Sequence, residues 1–417
     1  MEKKSFSFLP NYPFWLMVCS AIIASSAVVA QSTIDASKFP TLQAAFDAVP
    51  ENGGEVIIPP GEYEITQSLV LTKAKTRIKG AGSSTHLINL NQNGEPALII
   101  RPKNISGKDS FLWRNEISDL SISGNAKSGD GLLLENLNEL LITGLQIDHN
   151  GGNGINFISG YENPRINHCN ITYNGKAGMY LTGCHDAIVS ANQFEENQDA
   201  LNFIDGFNLT MTGNNIDDHL RNGIVIENTY GSVISGNMIE ECNGFAMVLD
   251  RDCYGITIGA NVIADNVGGG IDLRDAWGCT VSANTFVLDF HASVLVGPNS
   301  GRDIITGNNF CNSYIGSGKN ERPKQPNIMK PVLEFDEGTG IILQNTSDIA
   351  ITGNGFAGLS GEAVRASGPC HRIIVTGNMI TDLDHRRATD ARTAIDLGGA
   401  KESIVKDNVI EKGLRVK

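Results

Sequence analysis

The sequence predicts an all-β solenoid, in which short strands stack coil upon coil into a single domain. Three observations carry that prediction. A five-residue phrase returns at a nearly constant interval, a second short strand follows each return at a fixed offset, and glycine- and asparagine-rich turns join them without helical periodicity. A length of 417 residues suits two or three ordinary domains, but a repeat architecture uses that much chain in one body.

Residues 1–30 read as an address rather than as part of the fold. Lys3 and Lys4 form a positive start, Phe14 to Ala30 is apolar or small, and Val28-Val29-Ala30 precedes the polar Gln31. That pattern predicts a signal peptide cleaved after Ala30, hence a secreted or periplasmic protein. An uncleaved membrane anchor is the second reading, since the apolar stretch sits at the short limit of a span. The domain then runs over residues 31–417.

The recurring phrase is Ser or Thr, then Gly or Ala, then Asn, one variable residue, and Ile or Phe. It reads SANQF at Ser190, TGNNI at Thr212, SGNMI at Ser235, GANVI at Gly259, SANTF at Ser282, TGNNF at Thr306, TGNGF at Thr352, TGNMI at Thr376 and KDNVI at Lys406. Its asparagines are Asn192, Asn214, Asn237, Asn261, Asn284, Asn308, Asn354, Asn378 and Asn408, spaced by 22, 23, 24, 23, 24, 46, 24 and 30 residues. Leu120, Leu145 and Cys169 hold the same phase earlier. The second strand follows as GINF at Gly154, GMYL at Gly178, ALNF at Ala200, GIVI at Gly223, AMVL at Ala246, GIDL at Gly270, SVLV at Ser293 and GIIL at Gly340. Each alternates inward apolar and outward residues with period two. Coils of this length pair in parallel about 4.8 Å apart, and an Asn repeated at one phase predicts a buried ladder of amides. Two segments exceed the period, at residues 317–338 and 381–393. The first carries Lys319, Arg322, Lys324 and Lys330, the second His385, Arg386 and Arg387, and both leave their coils at the turn feeding the second strand. They are expected to wall one flank of a groove.

At this point the sequence resembles the single-stranded right-handed parallel β-helix proteins of the pectate-lyase-like superfamily. The resemblance extends to the opening FPTLQAAFDAVPENGGEVIIPPGEY, Phe39 to Tyr63, where it implies a short amphipathic helix, a glycine turn, a strand and a Pro-Pro-Gly turn. Leu42, Ala45 and Phe46 of that N-terminal capping helix would face the first coil and protect the open sheet edges. The superfamily includes lyases, hydrolases, epimerases and non-enzymes, so the resemblance implies a fold more than a reaction. The Asn-Thr-Asp, Asp-Asp and Gly-His-Gly series of polygalacturonases, the paired arginines of pectate lyases and the Asp-Pro-His-Asp of alginate epimerases are missing. Asp217-Asp218 reads as an isolated Asp-Asp without that company.

Composition narrows the partners. The formal charge is −14, with 19% charged and 41% hydrophobic residues. That balance suits a folded soluble domain, and it lacks the basic footprint of nucleic-acid binders or of proteins drawn to anionic membranes. The mature chain is expected to be a monomer. Seven cysteines remain after the signal, none in a CxxC pair or zinc spacing, so buried thiols are expected, with Cys253 and Cys279 on adjacent coils as the one pair in reach.

Chemistry concentrates where the second strands of the middle coils face outward. One outward row reads Asn156, Tyr180, Asn202, Val225, Val248, Asp272, Leu295, and the next reads Ile158, Thr182, Ile204, Glu227, Asp250, Arg274, Gly297. Glu227 and Asp250 on adjacent coils would sit close enough for one to hold a proton while the other stays ionised. Candidate catalytic groups are therefore Glu227, Asp250 and Asp272, with His219 as an acid/base group. Arg274 would clamp a substrate carboxylate, and Arg221, Asp252, Asp275 and His291 would complete the binding surface. Carboxyl pairs at such spacings serve glycosidases. Three or four acidic oxygens would also hold Ca²⁺, so calcium is admitted as a cofactor without being required. The expected function is an exported carbohydrate-active enzyme, a glycoside hydrolase or polysaccharide lyase, acting on a polysaccharide, acidic ones included. The alternative is a non-catalytic β-helix that binds glycans or attaches to surfaces, with Arg251 and Arg274 merely neutralising a structural acidic row.

Overall fold

The computed structural model describes residues 32–105, 110–311, 338–383 and 392–417. The expected signal peptide and most of both long insertions lie outside the described residues. Within them the chain winds through three parallel sheets of 15, 14 and 14 strands, running from Ser32–Asp35 to Ile404–Lys406, from Gly61–Ile65 to Val409–Ile410, and from Leu69–Leu71 to Arg415–Val416. A typical coil is Thr210–Thr212, Asn215–Asp217 and Ile224–Glu227, and the next is Val233–Ser235, Met238–Glu240 and Phe245–Asp250. Each strand pairs in register with its counterpart one coil on, as in Met211↔Ile234 and Ile234↔Ile258.

The short strands exist because every coil needs only one or two inward apolar residues per side. Met211, Ile216, Ile224 and Ile226 of one coil are fully buried, each contributing about 1.5–3 kcal/mol by leaving water. Phe286, Phe310 and Phe356 stack inside at ring distances of 4.7 and 4.6 Å.

The recurring phrase is explained at the corner between the first and second sheets. The residue before each Asn adopts left-handed backbone, as at Ala191, Gly213, Gly236, Ala260 and Gly307, which favours Gly there and tolerates Ala at some cost. The Asn then turns inward. From Asn192 to Asn408 each Nδ2 donates to the Oδ1 of the next at 2.9–3.0 Å. The same amides also satisfy backbone carbonyls across the corner, such as that of Ile234.

A second ladder at the corner between the second and third sheets joins Asn150, Asn174 and Asn197, and resumes with Asn266 and Asp289. His219 and Cys242 hold its two intervening positions, in the sequence triplets Asp217-Asp218-His219 and Glu240-Glu241-Cys242.

At the start, a helix spans Leu42–Asp47, with Thr41 accepting from the Ala44 amide at its N-cap. Ala45 and Phe46 are buried. Gln43 donates to the Val70 carbonyl at 2.9 Å and accepts its amide at 2.8 Å, on the first strand of the third sheet. The seven cysteines among the described residues are all free, Cys253 and Cys279 included, so that pair forms no disulfide.

Candidate functional site

The middle of the third sheet is more buried than the other two. Strands such as Thr210–Thr212 and Asn215–Asp217 of the first and second sheets alternate one buried residue with exposed or half-exposed ones, whereas Leu201–Ile204 and Gly269–Leu273 of the third are buried along their whole length. Asp272, on the second of these, is therefore shielded and carries a desolvation cost, while Glu227 and Asp250 on neighbouring strands stay half-exposed.

The predicted rows are in register. Asn202 pairs with Val225, Val225 with Val248 and Val248 with Asp272, while Glu227 lies directly beside Asp250. The strand carrying Asp272 ends at Leu273, so Arg274 stands just beyond the ladder. Three arginines organise the carboxylates. Arg221 forks onto Asp199 through Nε at 2.9 Å and through Nη2, and buried Asp199 also accepts the Asn222 amide at 2.9 Å and Asn202 Nδ2 at 3.2 Å. Arg251 spans Glu227 at 2.6 Å and Asp205 at 3.3 Å. Arg274 donates Nε to Asp272 at 2.6 Å and lies 3.9 Å from Asp250.

Asp272 stands apart in this network. It is 3% exposed, and its second oxygen, Oδ1, has no hydrogen-bond partner. Burial pushes its carboxyl above the ordinary range; Arg274 opposes that shift and the charge of Asp250 adds to it. A buried carboxyl pushed upward beside half-exposed carboxylates is the kind of asymmetry acid/base chemistry draws on.

The remaining predicted residues scatter. Asp252 and Asp275 follow the strand ends at the next corner, Asp252 exposed in left-handed backbone and Asp275 half-buried, with its carbonyl accepting the Cys253 amide. His291 is exposed two coils beyond Asp250, also in left-handed backbone. His219 is completely buried, with Nδ1 3.2 Å from the Asn197 carbonyl and Nε2 unpartnered. Burial lowers its pKa to about 4, so the ring is neutral at physiological pH.

Two features escaped the sequence reading. Asp217-Asp218 is not isolated. Glu195, Asp217 and Glu240 are neighbours in register, and Glu196, Asp218, Glu241 and Asp265 follow in left-handed backbone, so two acidic rows run side by side. Burial, reinforced by like charges, pushes Asp217 up to about 6 and Glu241 to about 7. Oxygens of Asp217, Asp218 and Glu241 approach within 4.8 Å of one another, a donor set of the hard-oxygen type that suits Ca²⁺. The signal was the pair Glu-Glu, Asp-Asp, Glu-Glu recurring one period apart.

The second feature is aromatic. Tyr161, His185, Phe207, Tyr230, Tyr254 and Trp277 recur at 24, 22, 23, 24 and 23 residues, the period of the Asn ladder. They follow the third-sheet strands at the corner leading to the first sheet, beside the charged row.

Among known proteins, the family described as a right handed beta helix region matches residues 105–246 and 158–311. No curated protein matches the chain in sequence. Many solved structures share its fold, among them the following three. A DFA-IIIase from Arthrobacter chlorophenolicus A6 is 13% identical with a TM-score of 0.57, covering 83% of this chain and 94% of its own. The catalytic unit of a thermostable GH87 α-1,3-glucanase from Streptomyces thermodiastaticus is 15% identical with a TM-score of 0.57, over 91% of this chain and 69% of its own. Tailspike protein 3 of bacteriophage CBA120 is 12% identical with a TM-score of 0.52, over 87% and 65% respectively. Among the described residues no helix is long and apolar enough to cross a membrane.

Proposed function

The chain is a right-handed parallel β-helix protein, and on that scaffold we propose that it is an exported carbohydrate-active enzyme that cleaves a polysaccharide along the charged face of the third sheet. The observation that carries this reading is Asp272, a buried carboxyl with a free oxygen, set beside Asp250 and sharing Arg274 with it. In this reading Asp272 supplies the proton to the leaving oxygen, and Asp250 or Glu227 activates water or withdraws a proton. Arg274 lies between Asp250 and Asp272 and orients Asp272, while Arg221, Asp252, Asp275 and His291 contact more distant parts of the glycan. His219, enclosed on all sides, belongs to the coil interior and takes no part. The glucanase and the DFA-IIIase of the same fold make a glycan substrate the natural class. If calcium takes part, Asp217, Asp218 and Glu241 are the residues to hold it, and it would supply charge neutralisation along the acidic rows.

The test is mass spectrometry of products after incubation with neutral and acidic polysaccharides, with and without Ca²⁺. Products that have gained water identify a hydrolase, and unsaturated products a lyase. Asp250→Asn should lower turnover at least about 100-fold while leaving the fold intact. One observation favours a second reading, that of a non-catalytic glycan-binding scaffold: Asp199, Glu227 and Asp272 each have an arginine partner, as a structural ion network would. Absence of products from every glycan, with Asp250→Asn affecting only stability, would select it.

A further inference from the structure

The aromatic row is an exposed feature of the described surface that folding alone explains poorly. Tyr161, Tyr230 and Tyr254 leave 53, 52 and 59% of their surface in water, although an aromatic ring contributes most to folding when buried. Part of the row is self-stacked: Tyr161 meets His185 at 4.4 Å between ring centres, His185 meets Phe207, and Phe207 lies parallel to Tyr230 at 5.0 Å. Beyond Tyr230 the pattern changes. Tyr254 leans on Gly278, where an added Cβ would meet its ring at 3.5 Å, and Trp277 lies over Gly301, where one would intrude to 2.9 Å. Glycine at position 301 lets the Trp277 ring lie against the next coil's backbone, while at position 278 a Cβ would make only ordinary contact with the Tyr254 ring. Arg302 sits 5.9 Å from the Trp277 ring centre.

Charged and hydrogen-bonding groups run alongside these rings. Glu227 precedes Tyr230 by three residues, Asp250 precedes Tyr254 by four and Arg274 precedes Trp277 by three. A protein partner would want a contiguous apolar patch, whereas rings interleaved with carboxylates and guanidinium groups suit a ligand with apolar C–H faces and a rim of hydroxyls. That description fits a sugar. Successive coils lie about 4.8 Å apart, close to the length of one sugar residue, so a glycan lying along the coil stack would meet equivalent groups repeatedly.

We propose that Tyr230, Tyr254 and Trp277 form a stacking platform that binds a glycan chain parallel to the solenoid axis, alongside the charged row. This rests on the glycan reading above and adds the platform, its residues and the direction of the chain. The experiment is affinity electrophoresis of the mature protein in native gels containing dextran, xylan, inulin or polygalacturonate, with melting temperature measured in parallel. Tyr254→Ala should weaken retardation in the responsive gel roughly 3- to 10-fold, Tyr254→Phe should restore it, and the melting temperature should hold in both. Retardation of the wild type that Tyr254→Ala and a Tyr230→Ala/Tyr254→Ala double variant leave intact would overturn the platform alone. A wild type neither retarded nor active on any of the four would overturn the glycan reading and the platform with it.

Discussion

Asp303 and His219 are both buried titratable groups, and their pKa shifts have opposite consequences for stability. Asp303 accepts the Cys279 amide at 2.7 Å through Oδ1, while Oδ2 has no partner, and burial raises its pKa to about 7. A carboxyl raised in the folded state contributes fully below its unfolded pKa, near 4, and loses that contribution as pH climbs through about 7. Asn keeps the acceptor and removes the charge. Asp303→Asn should therefore melt with the wild type at pH 4 and several degrees above it at pH 8. An unchanged difference across that range, read by calorimetry, would mean Asp303 is solvated or paired in solution. His219 runs the other way: neutral in the fold, with a pKa of about 4, it costs stability as pH falls from about 6.5 toward 4. Asp272 shares the direction of Asp303 but stands on the outward face, where the proposed activity would use it. If it donates the proton, Asp272→Asn should remove the alkaline limb of the rate profile along with most of the rate.

At the scale of the element, the Asn ladder makes a graded prediction. Asn261 donates to Asn284 and to the Ile234 carbonyl, and accepts both the amide and Nδ2 of Asn237. Asn261→Ala would strand several buried groups at once and should cost at least about 3 kcal/mol. Asn408 makes equivalent bonds to Asn378 and Val375 in the half-exposed final coil, where water replaces them, so Asn408→Ala should cost only about 1 kcal/mol. Equal losses in denaturant titrations would refute the ladder as a cumulative buried structure. This ladder was readable in the sequence because one residue type serves one purpose at every turn. The neighbouring ladder was not, since its run of Asn150, Asn174 and Asn197 is broken by His219 and Cys242 and ends on Asp289. The acidic rows and the aromatic row were missed for the same reason: Glu and Asp, or Tyr, His, Phe and Trp, are interchangeable for charge or stacking, so periodicity in chemistry is hidden from a search for repeated letters. The register of the charged face was legible, because period-two strands of fixed phase leave no freedom in which residues lie side by side. What no sequence pattern revealed was depth: Glu227 and Asp272 look alike as letters, yet only Asp272 is buried with an unmatched oxygen.

For the molecule as a whole, the same bond should have different lifetimes in different coils. Each coil touches only its neighbours, so stability is a sum of nearest-neighbour terms rather than the property of one central core. Val262 and Val409 occupy equivalent positions, one donating its amide to the Asn237 carbonyl at 2.9 Å and the other to that of Asn378 at 2.8 Å. Coils pack on both sides of the first, where Ile239, Ile263 and Phe286 are fully buried in succession. On the second only one side is covered, and the strands Ile404–Lys406, Val409–Ile410 and Arg415–Val416 have no fully buried residue. Opening the final coil exposes little apolar surface, whereas opening a central one breaks two interfaces. Hydrogen exchange should thus be at least about 100-fold faster at Val409 than at Val262, although the two bonds are alike in length. Between them protection should rise over one or two coils and then level off, because a nearest-neighbour stack frays from its end. Equal exchange at both amides would mean that the solenoid opens as one cooperative unit, and the graded losses expected along the ladder would then fail with it.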